Sequence, residues 1–188
     1  GFVGSAPTNL GDGALVFELP CALPQARIAA ALPSGLGLAI VPKGTACAGS
    51  EPLWWAACAA AGQSWVFGET AERFTPHAVN LDLIGGISFN KGCYTGQEVV
   101  SRIEHIGKTN RRTVLLAAND PLELAPGTDL TDNQGQVVAT VLYGAKHADR
   151  TLLLAEVSTE TAQSEVALDT TAATLHRLPL PYGWTRTK

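Results

Sequence analysis

Methionine is absent from the sequence, which begins at Gly1; on these two facts the chain is expected not to be a complete translation product. Cysteine is sparse and scattered. Cys21, Cys47, Cys58 and Cys93 form no C-x-x-C pair, and no histidine stands at zinc-ligand spacing from them. That pattern argues against a structural metal site and against a disulfide framework, leaving free thiols, the default of a cytoplasmic protein. No apolar run approaches the roughly 20 residues that a bilayer span needs, and the N-terminus shows no secretory pattern of charged start, apolar stretch and cleavage site. A membrane role is therefore not expected. Charge is also scarce, at 16% of residues against 46% apolar, with a net charge of −4. Bulk attraction to nucleic acid or anionic lipid is not expected from such a balance. What remains is a globular chain of one or two domains, long enough at 188 residues to bury a real core.

The charges are unevenly placed. Residues 91–112 carry five basic groups (Lys91, Arg102, Lys108, Arg111, Arg112) against two acidic ones (Glu98, Glu104), in a chain that is otherwise acidic. This segment is either a solvated face with ordinary ion pairs, which contribute little, or an anion-recognition strip suited to a polyglutamylated tail or an RNA backbone.

In chain order, residues 1–12 read as an irregular start. Ala14–Leu19 and Leu36–Val41 are strand candidates, while Pro24–Leu32 and Glu51–Ala61 read as helices, the second opened by Glu51 and Pro52. Strand, helix, strand, helix is the content of a split βαβ, ferredoxin-like half. Trp54 and Trp55 open that second helix, as core packing or as a stacking platform. Residues 71–83 hold few regular elements and Ile87–Phe89 reads as a short strand. His77 reads as a solvent-facing histidine, with an acid–base role as the alternative. Beyond Lys108 the pattern changes. Thr113–Ala117, Gln136–Tyr143, Thr151–Val157, Glu165–Leu168 and Thr174–Leu178 are β-like runs with no helix between them. They are separated by turn signals at Pro126-Gly127, Asp132–Gly135 and Ala148–Arg150, which predicts a barrel or sandwich.

Between these halves lies the stretch Asn90-Lys91-Gly92-Cys93-Tyr94-Thr95-Gly96-Gln97-Glu98, a tight loop feeding a helix. Val99, Val100, Ile103 and Ile106 share a helical face, expected to pack on the barrel. Thr95 with Glu98 makes a capping box, and Gly107 suits the helix stop. Cys93 precedes the helix N-terminus beside Lys91, and both favour thiolate over thiol. It reads either as a poised thiol or as a small buried hydrophobe.

Lys91–Glu98 resembles the signature of the YgfZ-type folate-binding proteins, in the superfamily of the glycine cleavage T-protein, an aminomethyltransferase. The likeness extends upstream through Phe74-Thr75-Pro76, Asn80-Leu81 and Gly85–Phe89, and downstream through Arg102 to Arg111-Arg112. It implies an α+β fold: a truncated ferredoxin-like (split βαβ) region with the signature loop over 1–107, then an antiparallel β-barrel over 108–188. It implies tetrahydrofolate as ligand, approached by the Pro76–Asn80 stretch. Cys93 would be the reactive thiol and Lys91 would set its ionisation. Asn80, Tyr94, Gln97, Glu98 and Arg102 would shape the ligand or partner surface. The implied role is assembly or maintenance of iron–sulfur enzymes, with an indirect link to tRNA modification. A tetrahydrofolate-dependent aminomethyltransferase and a non-catalytic docking module are the competing readings. One departure stands out: Cys58–Ser64 lacks the arginine and the Ile-Pro of the family's Arg-x-x-Ala-Gly-Ile-Pro.

Overall fold

A computed structural model of the chain describes residues 50–105, 109–147, 149–164 and 167–183, together with strand backbone at 2–3, 15–18 and 36–40. The helix expected over 24–32, and residues Cys21, Cys47, Ile106, Gly107, Lys108 and Trp184, lie outside the described residues.

Three short strands come first: β1 (Phe2–Val3), β2 (Leu15–Glu18) and β3 (Leu36–Ile40), in the order β1-β3-β2. β2 and β3 fall within the expected runs. They are direct antiparallel neighbours, with Leu15 opposite Ile40 and Glu18 opposite Gly37. Strands joined by a βαβ crossover run parallel instead, so this pair does not by itself make a split βαβ unit.

Helix α1 (Glu51–Ala60) starts where the sequence places it. The Ser50 hydroxyl accepts from the Leu53 N–H at 3.3 Å, satisfying one of the donors that a helix start leaves open. Glu51 favours the positive helix end and accepts from the Trp55 indole N–H at 3.2 Å. Ala56 through Ala61 are buried, and their small side chains let the helix backbone lie close against a sheet. Trp54 and Trp55 flank this contact, half-buried. Trp55 meets Trp65, Phe67 and Tyr143 with ring centroids 5.9, 5.5 and 5.6 Å apart, in tilted or edge geometry. Both tryptophans pack against the core.

The sheet beneath α1 is built from β4 (Arg111–Ala118), β5 (Asp129–Thr131), β6 (Val137–His147), β7 (Arg150–Ser158), β8 (Leu168–Asp169) and β9 (Thr174–Leu178). Their order is β5-β6-β7-β4-β9-β8, antiparallel throughout. Period-2 alternation sorts the side chains to two cores. Leu115, Ala117, Leu152 and Leu154 join α1 on one face, while Val114, Leu116, Leu153, Ala155 and Val157 fill the other. In β6 a bulge at Leu142 places two residues against one of β7 and reverses the alternation. Ala139 and Val141 face the second core, Tyr143 and Ala145 the first.

The sheet curls into a half-barrel, and one backbone hydrogen bond spans from the end of β8 to β5. The Thr171 N–H, in the turn after β8, donates to the Thr131 carbonyl of β5 at 2.8 Å. The molecule is thus α+β with a curled antiparallel sheet, in keeping with the barrel portion of the sequence reading.

Four expectations are corrected. A short helix, α3 (Thr159–Gln163), capped by Ser158, interrupts the run of strands. β5 was not foreseen, because its three residues sit between two turn signals. Ile87–Phe89 forms no strand and bends at Phe89. The apolar face of α1, rather than that of the later helix, covers the sheet; Val99, expected in that contact, is 55% exposed.

Candidate functional site

The signature stretch is delivered by a coil of successive turns. Val79, Leu81 and Gly86 each donate a backbone N–H back to Thr75, Pro76 and Leu81 respectively, at 3.3, 2.9 and 2.7 Å. This coil is fixed to the sheet from below. The Arg112 guanidinium of β4 grips Asp82 with both nitrogens, at 2.6 and 2.9 Å, and donates to the His77 carbonyl at 2.8 Å. The Thr113 hydroxyl donates to the Ala78 carbonyl at 2.9 Å.

Asn80 lies at the centre of this anchorage. It is fully buried, at a left-handed φ of +60° that asparagine tolerates better than most residues. Its Nδ2 donates to the Thr113 carbonyl at 2.7 Å and to the Tyr182 hydroxyl at 3.3 Å. Tyr182 in turn donates to the Gly62 carbonyl at 2.9 Å. Burial, ahead of other effects, pushes the Tyr182 hydroxyl up to about 12; the Asn80 amide and Arg112 pull it down, and Asp82 adds to the rise. Asn80, expected to touch a ligand, is a packed residue whose Nδ2 is engaged by Thr113 and Tyr182, while its buried Oδ1 has no hydrogen-bond partner.

His77 corrects the sequence reading more sharply. Expected to face solvent, it is 1% exposed, because the coil turns its side chain inward over Phe89. Neither ring nitrogen has a hydrogen-bond partner, and each buried polar atom so left carries a desolvation cost of about 1–3 kcal/mol. Nε2 stands 3.6 Å from Glu104 Oε2, just beyond hydrogen-bond reach. The Phe89 ring lies between His77 and His105, with centroids 6.4 and 6.5 Å away.

Above this layer the loop opens to solvent and then enters α2 (Gln97–His105). Lys91, Gly92 and Cys93 are exposed and Tyr94 is half-buried. The Lys91 ammonium sits over the Tyr94 ring, 4.4 Å from its centroid, an attraction of charge to the negative ring face. Gly96 takes φ +85°, a conformation that side chains resist, and so turns the chain into the helix. The expected pairing of Thr95 with Glu98 is not what orders this turn; the first helical residue reaches back to the loop instead. Gln97 Oε1 accepts from the Tyr94 N–H at 3.3 Å, while Glu98 receives Arg102 one turn on at 2.6 Å. Gln97 reaches the loop, whereas Glu98 points along the helix to a cation.

The structure thus joins Lys91 and Gln97 to Tyr94, next in the chain to an exposed Cys93, and pairs Glu98 with Arg102 one turn into the helix. It does not bring Asn80 to the group. Cys93 is exposed and Cys58 buried, so the reading of Cys93 as a buried hydrophobe falls away. The basic segment is not a continuous free strip. Arg102 pairs with Glu98, Arg112 with Asp82, and Arg111 with Glu156 at 2.5 Å; neutralised cations at these distances suit packing more than anion capture. Two shallow depressions, of about 420 and 360 Å³, lie on the half-barrel around Leu122–Lys146 and Asn119–His176, away from the loop. Among the described residues no group of three or more His, Cys, Asp or Glu could hold a metal ion. Nor is any helix among them long and apolar enough to cross a membrane.

Asp82 and Tyr182 were not singled out in the sequence, and Gly62 was read only as the stop of the helix over 51–61. The lone tyrosine of Pro181-Tyr182-Gly183 was the available signal, an aromatic with no strand of its own. In comparison with models of known protein families, the chain matches none.

Proposed function

We propose that this chain is a portion of a tetrahydrofolate-binding accessory protein of the YgfZ type, serving the assembly or maintenance of iron–sulfur enzymes and linked tRNA modification. The observation that carries the reading is the open thiol of Cys93 in a loop whose pose is set by Lys91 over Tyr94 and by Gln97 on the Tyr94 backbone. Such a loop presents one reactive atom to a partner while its neighbours are already ordered, which lowers the entropy lost on engagement. In this reading Cys93 is the reactive group, Lys91 and Tyr94 its flank, and Glu98 with Arg102 the rim that a partner meets. The ferredoxin-like identity of the first half belongs to the same proposal, and its crossover would have to involve strands other than the antiparallel β2–β3 pair.

Calorimetric titration with tetrahydrofolate tests the ligand, with the Cys93→Ser variant alongside. Binding that survives the substitution, with loss of iron–sulfur enzyme activity in cells carrying it, is the expected result. No binding by the protein in any form would remove the folate reading. Turnover of an aminomethyl group from a lipoyl carrier protein to tetrahydrofolate would replace the accessory role by a transferase.

A further inference from the structure

A fully buried imidazole with no hydrogen-bond partner on either nitrogen does little for stability that an apolar ring would not do better. Such a group calls for another explanation. Its surroundings supply one. His77 sits on the coil that Arg112 and Thr113 fasten to β4, so its position is set by the sheet. The carboxylate nearest to it, Glu104, belongs to α2, and the ring packed on it, Phe89, is shared with His105 of α2. At its other end α2 holds the loop, through Gln97 on Tyr94. The helix therefore links a fixed histidine to the signature loop.

We propose that His77 is the positioning residue of the loop Asn90–Gly96, seating α2 by donating from Nε2 to Glu104; the inference rests on the reading of that loop as the functional site. The observed separation of 3.6 Å closes to a hydrogen bond when α2 settles by about half an ångström. Seating shifts the whole helix, and with it Gln97 and the loop backbone that Gln97 holds. His77 acts through α2 and needs no contact with Cys93.

Two substitutions separate donation from packing. His77→Phe keeps a ring against Phe89 and removes the donor; His77→Gln places an amide nitrogen near the Nε2 position. Amide hydrogen exchange followed residue by residue in the 188-residue protein is the measurement, with Cys93 alkylation rate as a second readout from the loop. His77→Phe is expected to speed exchange of the α2 amides about tenfold, the scale of one ordinary hydrogen bond. Exchange in β4 and β7 should stay unchanged, and the Cys93 rate should shift. His77→Gln is expected to restore both readouts. Glu104→Ala, at a partly exposed position, should also speed α2 exchange, and by a smaller factor in the His77→Phe background than in the parent protein. The proposal is overturned if α2 exchange is unaltered by His77→Phe, if Gln behaves as Phe does, or if the two single effects add. Should His77→Phe fail to fold, Glu104→Ala alone decides: no change in α2 exchange overturns the proposal. None of these readouts needs a ligand, so their failure leaves the folate reading standing, and failed folate binding leaves them standing.

Discussion

Arg112 and Asp82 face each other as two parallel hydrogen bonds, Nη1 to Oδ1 at 2.6 Å and Nη2 to Oδ2 at 2.9 Å, with 13% and 7% of their side chains exposed. The pair joins β4 to the coil that carries His77 and Asn80. Bidentate geometry holds orientation as well as distance. Removing one partner strands the other charge out of water, which costs about 3–5 kcal/mol for buried pairs. Asp82→Ala is expected to lose that much in urea unfolding; a loss below about 0.5 kcal/mol, typical of surface sites, would show the pair to be ornamental.

The two described cysteines should separate cleanly under alkylation. Cys93 is exposed and Cys58 is 0% exposed within α1. Iodoacetamide followed by peptide mass spectrometry is expected to label Cys93 in the folded protein and Cys58 only once it unfolds. Protection of Cys93 under native conditions would contradict the open loop.

Gly62 ends α1 at φ +66°, and a Cβ there would stand 2.6 Å from the Tyr182 hydroxyl and 2.9 Å from Leu180 Cδ2. Both the backbone conformation and the space require glycine. Gly62→Ala should cost more than the roughly 1 kcal/mol at which a strained left-handed residue begins, because Tyr182 must also leave its hydrogen bond. Thermal unfolding of Gly62→Ala beside Tyr182→Phe would show the two losses to overlap.

Alkaline pH should weaken the fold through Tyr182, whose hydroxyl is pushed up to about 12 by burial. Unfolded, it ionises near 10. Between those values the unfolded chain has released a proton that the folded chain still holds, so stability falls as pH rises. Below pH 10 the contribution is fully present. Tyr143, raised well above its ordinary value by burial first and by Cys58 and Tyr182 after it, acts in the same direction. Urea midpoints from pH 9 to 11 should decline in the parent protein and decline less steeply in Tyr182→Phe; equal slopes would refute the assignment.

How much of this was legible beforehand depends on whether the cause was local. α1 follows from Glu51 and Pro52, and the strand runs from 113 to 178 follow from short β-like runs between turn residues, all within a few positions of one another. The loop preceding α2 was readable for the same reason, down to the exposed Cys93 as one of two alternatives. His77 was not, since its burial comes from Phe89 and α2 folding over it rather than from its neighbours Pro76 and Ala78. Asn80 shows the same limit. Its partners Thr113 and Tyr182 are 33 and 102 residues away in the chain, so its motif suggested a ligand contact where tertiary packing supplies a carbonyl and a hydroxyl. In the basic segment, Arg111 and Arg112 are taken up by Glu156 and Asp82, which come from outside it.

The two-sided burial of β7 has a consequence for how that strand finds its place. Leu152, Leu153, Leu154 and Ala155 are all fully buried, so a slip of one residue would exchange one apolar set for another and the hydrophobic pattern alone would barely object. Glu156 objects. It is 7% exposed, stands opposite Thr113 and reaches Arg111 at 2.5 Å on the outer face. One step along the strand would set it opposite Val114 or Arg112 instead of Thr113 and turn its carboxylate to the face that packs Val114, Leu116 and Leu153. A single charge thereby bars the slip that would set it against Val114, in a strand whose other buried side chains would fit more than one lock.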